Sequence, residues 1–326
     1  MTIVRHPRRS TPLSFAAEIP GDAPFTATQA RVAVPGPTRS PLADYFELTK
    51  PRIALMALIT VAAGYLLGSA GDFHWAGLLN TLFGAGLVAA GGSALNHWLE
   101  RKPDAKMHRT ARRPLPAGRV APVAALLFGV TLFVAGVTWL ALTLPYPGAS
   151  IAAAATGLLY VGVYTPMKRL TSWNTVVGAI PGALPPIIGW CAAQETLTLK
   201  AVSLFAILFV WQLPHFYAIA FMHRDDYARG GMKMLPVVER PDGFYTGLAT
   251  VGTAALLVPV TVLPFAADVG HWLYLLGAVP LAVWFLLRAV RFARHRTTAT
   301  AKSVLRGSLV YLTGVMVLLA VDGLVG

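Results

Sequence analysis

In the stretch NHWLERKPDAKMHRTARRPLPAG, residues 96–118, an amide and two carboxylates recur at every fourth position: Asn96, Glu100 and Asp104. Residues four apart on a continuing helix share a face, with Cβ atoms roughly 5–6 Å apart. The three oxygen-bearing side chains can therefore converge on one edge. A small set of hard oxygen donors with vacant positions suits Mg²⁺ that is bound partly through substrate phosphates. Lys106, Arg109, Arg112 and Arg113 follow directly and supply the complementary half, because cations grip phosphate oxygens and arginine does so bidentately. Pro103 disfavours helix at the residue before it, which leaves two placements for Asp104, on the helix or on a turn. Either lets its oxygens reach the same edge.

A second cluster, FMHRDDYARGGMKMLPVVER at 221–240, again joins acids (Asp225, Asp226) to bases (Arg224, Arg229, Lys233). Its Gly230–Gly231 pair permits close backbone approach. A third piece, YTPMKR at 164–169, sets Tyr164 and Lys168 four apart. Basic residues beside a membrane helix often only bind anionic lipid or fix topology. Two acid-and-base loops above an apolar bundle point instead to a metal diphosphate whose hydrophobic tail runs into the membrane. An ionisable side chain inside a span is a functional candidate, which singles out His215 in WQLPHF and, beside Asn96, His97.

The elements that must position these residues are membrane helices. Of 326 residues, 56% are hydrophobic and 13% charged, against roughly 45–50% and 25% in soluble domains. Most of the chain falls in apolar runs about 20 residues long, the length that crosses a hydrocarbon core. Nine spans are expected, at about 53–70, 75–99, 121–142, 149–166, 174–193, 201–222, 247–267, 270–287 and 303–322. The period-2 alternation of a membrane β-barrel is absent. The fold class is an all-α polytopic membrane protein, and the GAIPGALPPIIGW run of the fifth span predicts a kink.

A net charge of +13 in a soluble chain would suggest nucleic acid. Here 26 of the 27 Lys and Arg residues fall on one side of the nine-span scheme, and only Lys200 on the other. The positive-inside rule makes that basic face cytoplasmic, with the N-terminus inside and the C-terminus outside, and no nucleic-acid partner is needed. Residues 1–42, rich in Pro, Ser and Arg, are expected to form a disordered cytoplasmic tail, and 43–326 the transmembrane domain. The single cysteine, Cys191, lies in an apolar run, which excludes an internal disulfide and leaves it as packing.

The motif N-x3-E-x3-D-x2-M-x-R-T-x2-R-P-L from Asn96, with LTKPR at 48–52, WNT-x2-GA-x-PGALPP at 173–186, WQLPHF at 211–216 and DYARGG at 226–231, resembles the haem-farnesylating branch of the UbiA-type intramembrane prenyltransferases. The resemblance covers about 45–325. It implies a UbiA-type bundle with a cytoplasmic-facing cavity and an enzyme that transfers the farnesyl group of farnesyl diphosphate to a vinyl group of protohaem IX. Water adds in the same reaction, and the products are haem O and diphosphate. It further implies Mg²⁺ on Asn96, Glu100, Asp104 and Asp226, and a diphosphate clamp of Arg109, Arg112, Lys168, Tyr164 and Arg224. Catalytic roles are implied for Asn96, Glu100, Asp104, Lys168 and Asp226, and haem contact for His215 or His97. Where the superfamily has D-x3-D, Asp226 is followed four residues later by Gly230, so a symmetric second metal clamp is incomplete.

The partners implied are the lipid bilayer and the two substrates, with haem A synthase or oxidase assembly proteins as further candidates. Location is expected in a bacterial plasma membrane, or alternatively the mitochondrial inner membrane. Three other readings compete: a related prenyltransferase with an aromatic or quinone-precursor acceptor, a transporter of an anionic solute, and a non-catalytic haem-binding assembly factor. Transporters keep ionisable groups near mid-membrane, and here only His215 sits deep in a span.

Overall fold

The computed structural model describes residues 40–69 and 71–325. The tail expected at 1–42 lies outside the described residues up to position 39, and Pro41 and Leu42, counted with it, are instead helical. In chain order the helices are α1 (Pro41–Leu48), α2 (Pro51–Gly68), α3 (Trp75–Asp104), α4 (Pro122–Thr143), α5 (Gly148–Leu158), a π-helical turn (Leu159–Tyr164), α6 (Thr165–Met167), α7 (Asn174–Ala183), α8 (Pro185–Ala193), α9 (Leu199–Met222), α10 (Arg224–Arg229), α11 (Leu235–Val238), α12 (Phe244–Val260), α13 (Leu263–Ala266), α14 (Trp272–His295) and α15 (Thr298–Val325). Among the described residues, nine helical stretches are long and apolar enough to cross a membrane. They fall where the apolar runs place them, although the second extends to Asp104 and the eighth to His295.

Large apolar side chains stand exposed around the bundle, among them Leu79, Leu127, Leu142, Leu276 and Leu287, as the lipid-facing side of a membrane protein requires. Inside, the fifth span (α7 and α8) and the sixth (α9) are the most buried of the nine; Ile187 and Trp190 of α8 and Leu204 and Leu208 of α9 pack with Val61 and Tyr65 of α2. Lipid tails are as apolar as leucine, so close backbone approach rather than hydrophobicity drives helix pairing here. Helices α3 and α4 meet through glycines: a Cβ added at Gly91 would lie 2.5 Å from the Phe133 nitrogen, and one at Gly136 would lie 2.7 Å from the Gly84 carbonyl oxygen.

Four local features position the site. First, Ser40 caps α1 by accepting from the Ala43 N–H, and the chain then reverses into α2 at Lys50, whose φ of 48° and ψ of 59° are left-handed. That conformation costs roughly 1–2 kcal/mol in a residue with a Cβ, and Pro51 at the first helical position fixes the restart. Second, α3 does not stop at Pro103 but runs through it to Asp104, so the proline sits near the end of the helix, where one lost hydrogen bond is tolerated. Third, the α5 span passes through a π turn before Thr165, a distortion frequent at functional sites. Fourth, the fifth span breaks at Leu184 between α7 and α8, as its prolines predict, and Gln212 of α9 donates to the Ala179 carbonyl beside the break.

Candidate functional site

Because α3 continues through Pro103, Asn96, Glu100 and Asp104 lie on successive turns, and all three are buried. Each meets a cation. Lys50 Nζ donates to Asn96 Oδ1 at 2.7 Å, Lys168 Nζ to Glu100 Oε1 at 2.7 Å, and Arg113 Nη1 to Asp104 Oδ2 at 2.8 Å. Asn96 in turn donates through Nδ2 to Thr165 Oγ1, whose own hydroxyl donates to the Tyr160 carbonyl. The π turn thus delivers the threonine that orients the amide. Thr110 donates to the Asp104 carbonyl and fastens the loop that carries Arg109 and Arg113 onto the end of α3.

Lys50, Asn96, Glu100, Asp104, Arg113 and Lys168 line a chamber of about 120 Å³ with Arg109, Tyr160, Tyr227, Met107 and Met232. Lys168 Nζ sits 4.5 Å from the centre of the Tyr164 ring, and the Arg109 guanidinium sits 4.6 Å from that of Tyr227, both cation–π distances. Small-molecule pockets generally measure some 300–1,000 Å³, so the chamber admits a charged head rather than a whole amphiphile. The lining holds four cationic side chains and two carboxylates, a formal charge of +2. Burial, together with the charge of Arg113, lowers Lys50 to about 7. Burial also works against the charge on Lys168, but Tyr164 and Glu100 outweigh it and hold that ammonium well above the ordinary lysine range.

Of the residues expected from the sequence, Asn96, Glu100, Asp104, Lys168 and Arg109 come together at the chamber, and Tyr164 reaches it through Lys168. Arg112 does not: it is exposed, and its carbonyl accepts from Arg119. Arg113 takes the place expected for it. Arg224 turns away, donating to the Pro241 carbonyl and lying 5.4 Å from the Phe221 ring centre. Asp226 stands outside the lining; its Oδ1 accepts from the His108 N–H at 3.0 Å and from Arg229. Those donors, acting against partial burial, hold its carboxyl below the usual range. Asp225 is 84% exposed. The two histidines are not at the chamber: His215 shares a 2.8 Å hydrogen bond with Ser308 of α15, and His97 is buried with both ring nitrogens unpartnered among the described residues.

Three residues escaped the reasoning from spacing. Lys50 stands inside LTKPR, but nothing local reveals that a left-handed turn aims it 46 positions ahead. Thr165 carries no charge to attract notice. Asn174, in WNT, donates to the Lys233 carbonyl, while the Lys233 N–H donates to the Lys168 carbonyl at 2.6 Å, so the two bonds together hold the 230s loop at Lys233, one through this amide and one through the backbone of Lys168.

Among the described residues, nine membrane-long helices form a bundle with a cationic, carboxylate-edged chamber that matches a small oxyanion group in size and charge. Residues 57–312 match the UbiA prenyltransferase family, and the chain belongs to it. It is 46% identical over 290 residues to the protohaem IX farnesyltransferase of Solibacter usitatus, covering 86% of this chain and 98% of the relative. It is 47% identical over 283 residues to the protohaem IX farnesyltransferase of Salinibacter ruber, with the same coverage. Among solved structures, a UbiA homologue from Archaeoglobus fulgidus bound to GPP and Mg²⁺ superposes with a TM-score of 0.61 at 15% identity, covering 85% of this chain and 99% of the other. A structure of digeranylgeranylglyceryl phosphate synthase reaches 0.72 at 19% identity, covering 86% and 98%. At those identities the likeness is one of fold.

Proposed function

We infer that this chain is a protohaem IX farnesyltransferase, which converts farnesyl diphosphate, protohaem IX and water to haem O and diphosphate. The observation that carries the reading is its 46–47% identity, over 86% of its length, to relatives of that name. The chamber supports it, since a formal charge of +2 complements a diphosphate. Phosphate oxygens replace Asn96 and Glu100 as acceptors for Lys50 and Lys168, and Arg109 and Arg113 close over them. Asn96, Glu100 and Asp104 then present hard oxygens, and Asp104 Oδ1, buried and unpartnered among the described residues, fits a Mg²⁺ ligand. These three side chains would hold Mg²⁺, which would neutralise diphosphate charge there.

The four cations stabilise negative charge where it develops as the allylic C–O bond ionises, with its electron pair leaving on the diphosphate. The vinyl π electrons of the porphyrin attack the farnesyl carbon, and water adds to the resulting cation and loses a proton, which leaves a hydroxyethylfarnesyl chain. Farnesyl and porphyrin lie along the apolar helices below the chamber. His215 is the better placed of the two histidines to meet the porphyrin, because His97 is enclosed. Asp226 ties the two loops together over the chamber rather than holding metal. The face bearing the chamber and nearly all the lysines and arginines is cytoplasmic.

The test is incubation of the purified chain in lipid with farnesyl diphosphate and haem b, followed by mass spectrometry. Farnesylated haem is the expected product. Prenylation of an aromatic acid with haem untouched would assign a quinone-precursor acceptor, and solute flux without product would place the chain among transporters.

A further inference from the structure

The last two spans hold a charge that the chamber chemistry does not use. From 269 to 321 the chain contains no Asp or Glu, yet 288–306 carries six Lys and Arg residues. Five of them lie near the helix ends or on exposed faces, where the positive-inside rule accounts for them. Arg288 is different. It sits in the eighth span, seven residues before the end of α14 at His295, roughly 10 Å along the axis at 1.5 Å per residue. A guanidinium does not deprotonate in proteins, so at this depth its charge calls for a partner.

The fold holds this side chain in a built slot. Arg288 Nη1 donates to Ser303 Oγ of α15 at 2.7 Å, and its guanidinium carbon lies 4.0 Å from the centre of the Trp284 ring. Gly307 of α15 leaves the room, since a Cβ there would lie 2.8 Å from Arg288 Cδ. Arg288 Nε is buried with no hydrogen-bond partner, and no carboxylate pairs with Arg288 among the described residues. A snorkelling arginine extends freely to water; this one is clamped between two helices and a tryptophan.

Positions 284, 288 and 291 of α14 fall at spacings of four and three, as do 299, 303 and 306 of α15, so each set shares a helix face. Trp284 and Arg288 are half-buried on that face while Arg291 is exposed, and across the seam Ser303 is half-buried and Arg306 exposed. The seam is therefore partly open, with a fixed guanidinium inside it and an exposed arginine on each flank. The oxyanion that a bilayer offers at this level is a headgroup phosphate.

We propose that the α14–α15 seam binds the phosphate of an anionic membrane phospholipid, with Arg288 as its fixed contact, Arg291 and Arg306 as flanking cations and Trp284 packed against the guanidinium from one turn earlier in α14. The site is independent of the farnesyl diphosphate chamber, and its test does not read catalysis.

The full chain, purified in a non-ionic detergent, would be titrated with phosphatidylglycerol, phosphatidylcholine or inorganic phosphate and followed by native mass spectrometry and thermal unfolding. Phosphatidylglycerol should remain bound and raise the unfolding midpoint, while phosphatidylcholine and inorganic phosphate do so far less. Arg288→Gln should weaken phosphatidylglycerol retention by about tenfold or more, the scale of one charged hydrogen-bond contact. Arg240→Gln, at a side chain 71% exposed elsewhere on the cytoplasmic-end loops, should leave retention unchanged. If Arg288→Gln does not fold, Ser303→Ala, which frees Nη1, should give a smaller loss in the same direction. Full retention by either variant that folds, or equal retention of phosphatidylcholine by the native chain, would overturn the proposal. Protection by inorganic phosphate equal to that by phosphatidylglycerol would overturn the lipid assignment.

Discussion

Adjacent arginines 112 and 113 separate the chemistry of the chamber from the charge around it. Arg113 Nη1 lies 2.8 Å from Asp104 Oδ2, with side chains 27% and 1% exposed, and Asp104 Oδ1 already lacks a partner among the described residues. Arg113→Gln would strip the hydrogen-bonded cation from a buried carboxylate, a change that costs about 3–5 kcal/mol for a fully buried pair. Arg113 is about a quarter exposed, so solvent screening brings the expectation to about 2–3 kcal/mol. That cost falls on folding and lowers the unfolding midpoint; the catalytic loss arises separately, because one charged donor is removed from the developing diphosphate charge, a contribution of about 2–3 kcal/mol or roughly 30- to 150-fold in kcat/KM for farnesyl diphosphate. Arg113→Lys keeps the charge but not the planar fork and should fall between. Arg112→Gln should stay within about twofold, as expected of an exposed substitution away from special features. The assay is initial-rate farnesylation of haem b over a range of farnesyl diphosphate concentrations, with thermal unfolding run in parallel to exclude misfolding. Equal impairment of the 112 and 113 variants, or near-native rates for Arg113→Gln, would refute the placement.

Lys50 is lowered to about 7 from 10.5 by burial first and by Arg113 second. Between those values the unfolded chain binds the extra proton, so this group's contribution to stability rises with pH from about 7 to 10.5. Binding of a diphosphate requires the ammonium, so affinity for a non-hydrolysable farnesyl diphosphate analogue should fall as pH rises above 7, with proton uptake measurable by calorimetry in two buffers. Lys50→Arg should flatten that dependence, and an unchanged slope would count against the role. Asn174→Ala removes the side-chain bond to the Lys233 carbonyl and leaves the Lys233 N–H bond to Lys168 as the remaining tie at that residue; at about 1 kcal/mol per hydrogen bond, kcat/KM should drop up to about tenfold with little change in helix content by circular dichroism. Gly91→Val forces a side chain against the α4 backbone and should destabilise by about 1–3 kcal/mol or more, seen as a lower unfolding midpoint in detergent, whereas Gly252→Ala, at a glycine with open space around it, should not.

The spans were legible because length and apolar composition are nearly sufficient in lipid, and the fifth-span break was legible because proline acts locally. Asn96, Glu100 and Asp104 could be placed together from their spacing alone, since a helix makes four-residue intervals into one face. What stayed hidden depends on distant backbone. Lys50 reaches Asn96 only because a left-handed residue turns α1 into α2, and Arg113 rather than Arg112 faces Asp104 because of how the loop after α3 coils back through Thr110. Arg224 and Asp226 have the right chemistry for a clamp, but their short helix α10 engages them with Pro241, His108 and Arg229 instead. Charge type is written in the sequence; which of several neighbouring charges is buried is decided by the fold.

The most direct measurement is haem O formation by the native chain and by Glu100→Gln, each with Mg²⁺ and with a chelator. Farnesylated haem that accumulates only for the native chain with Mg²⁺, while both proteins unfold at similar temperatures, is the predicted result. Undiminished haem O from Glu100→Gln, or from the native chain in chelator, would contradict a reaction centre built on Asn96, Glu100 and Asp104.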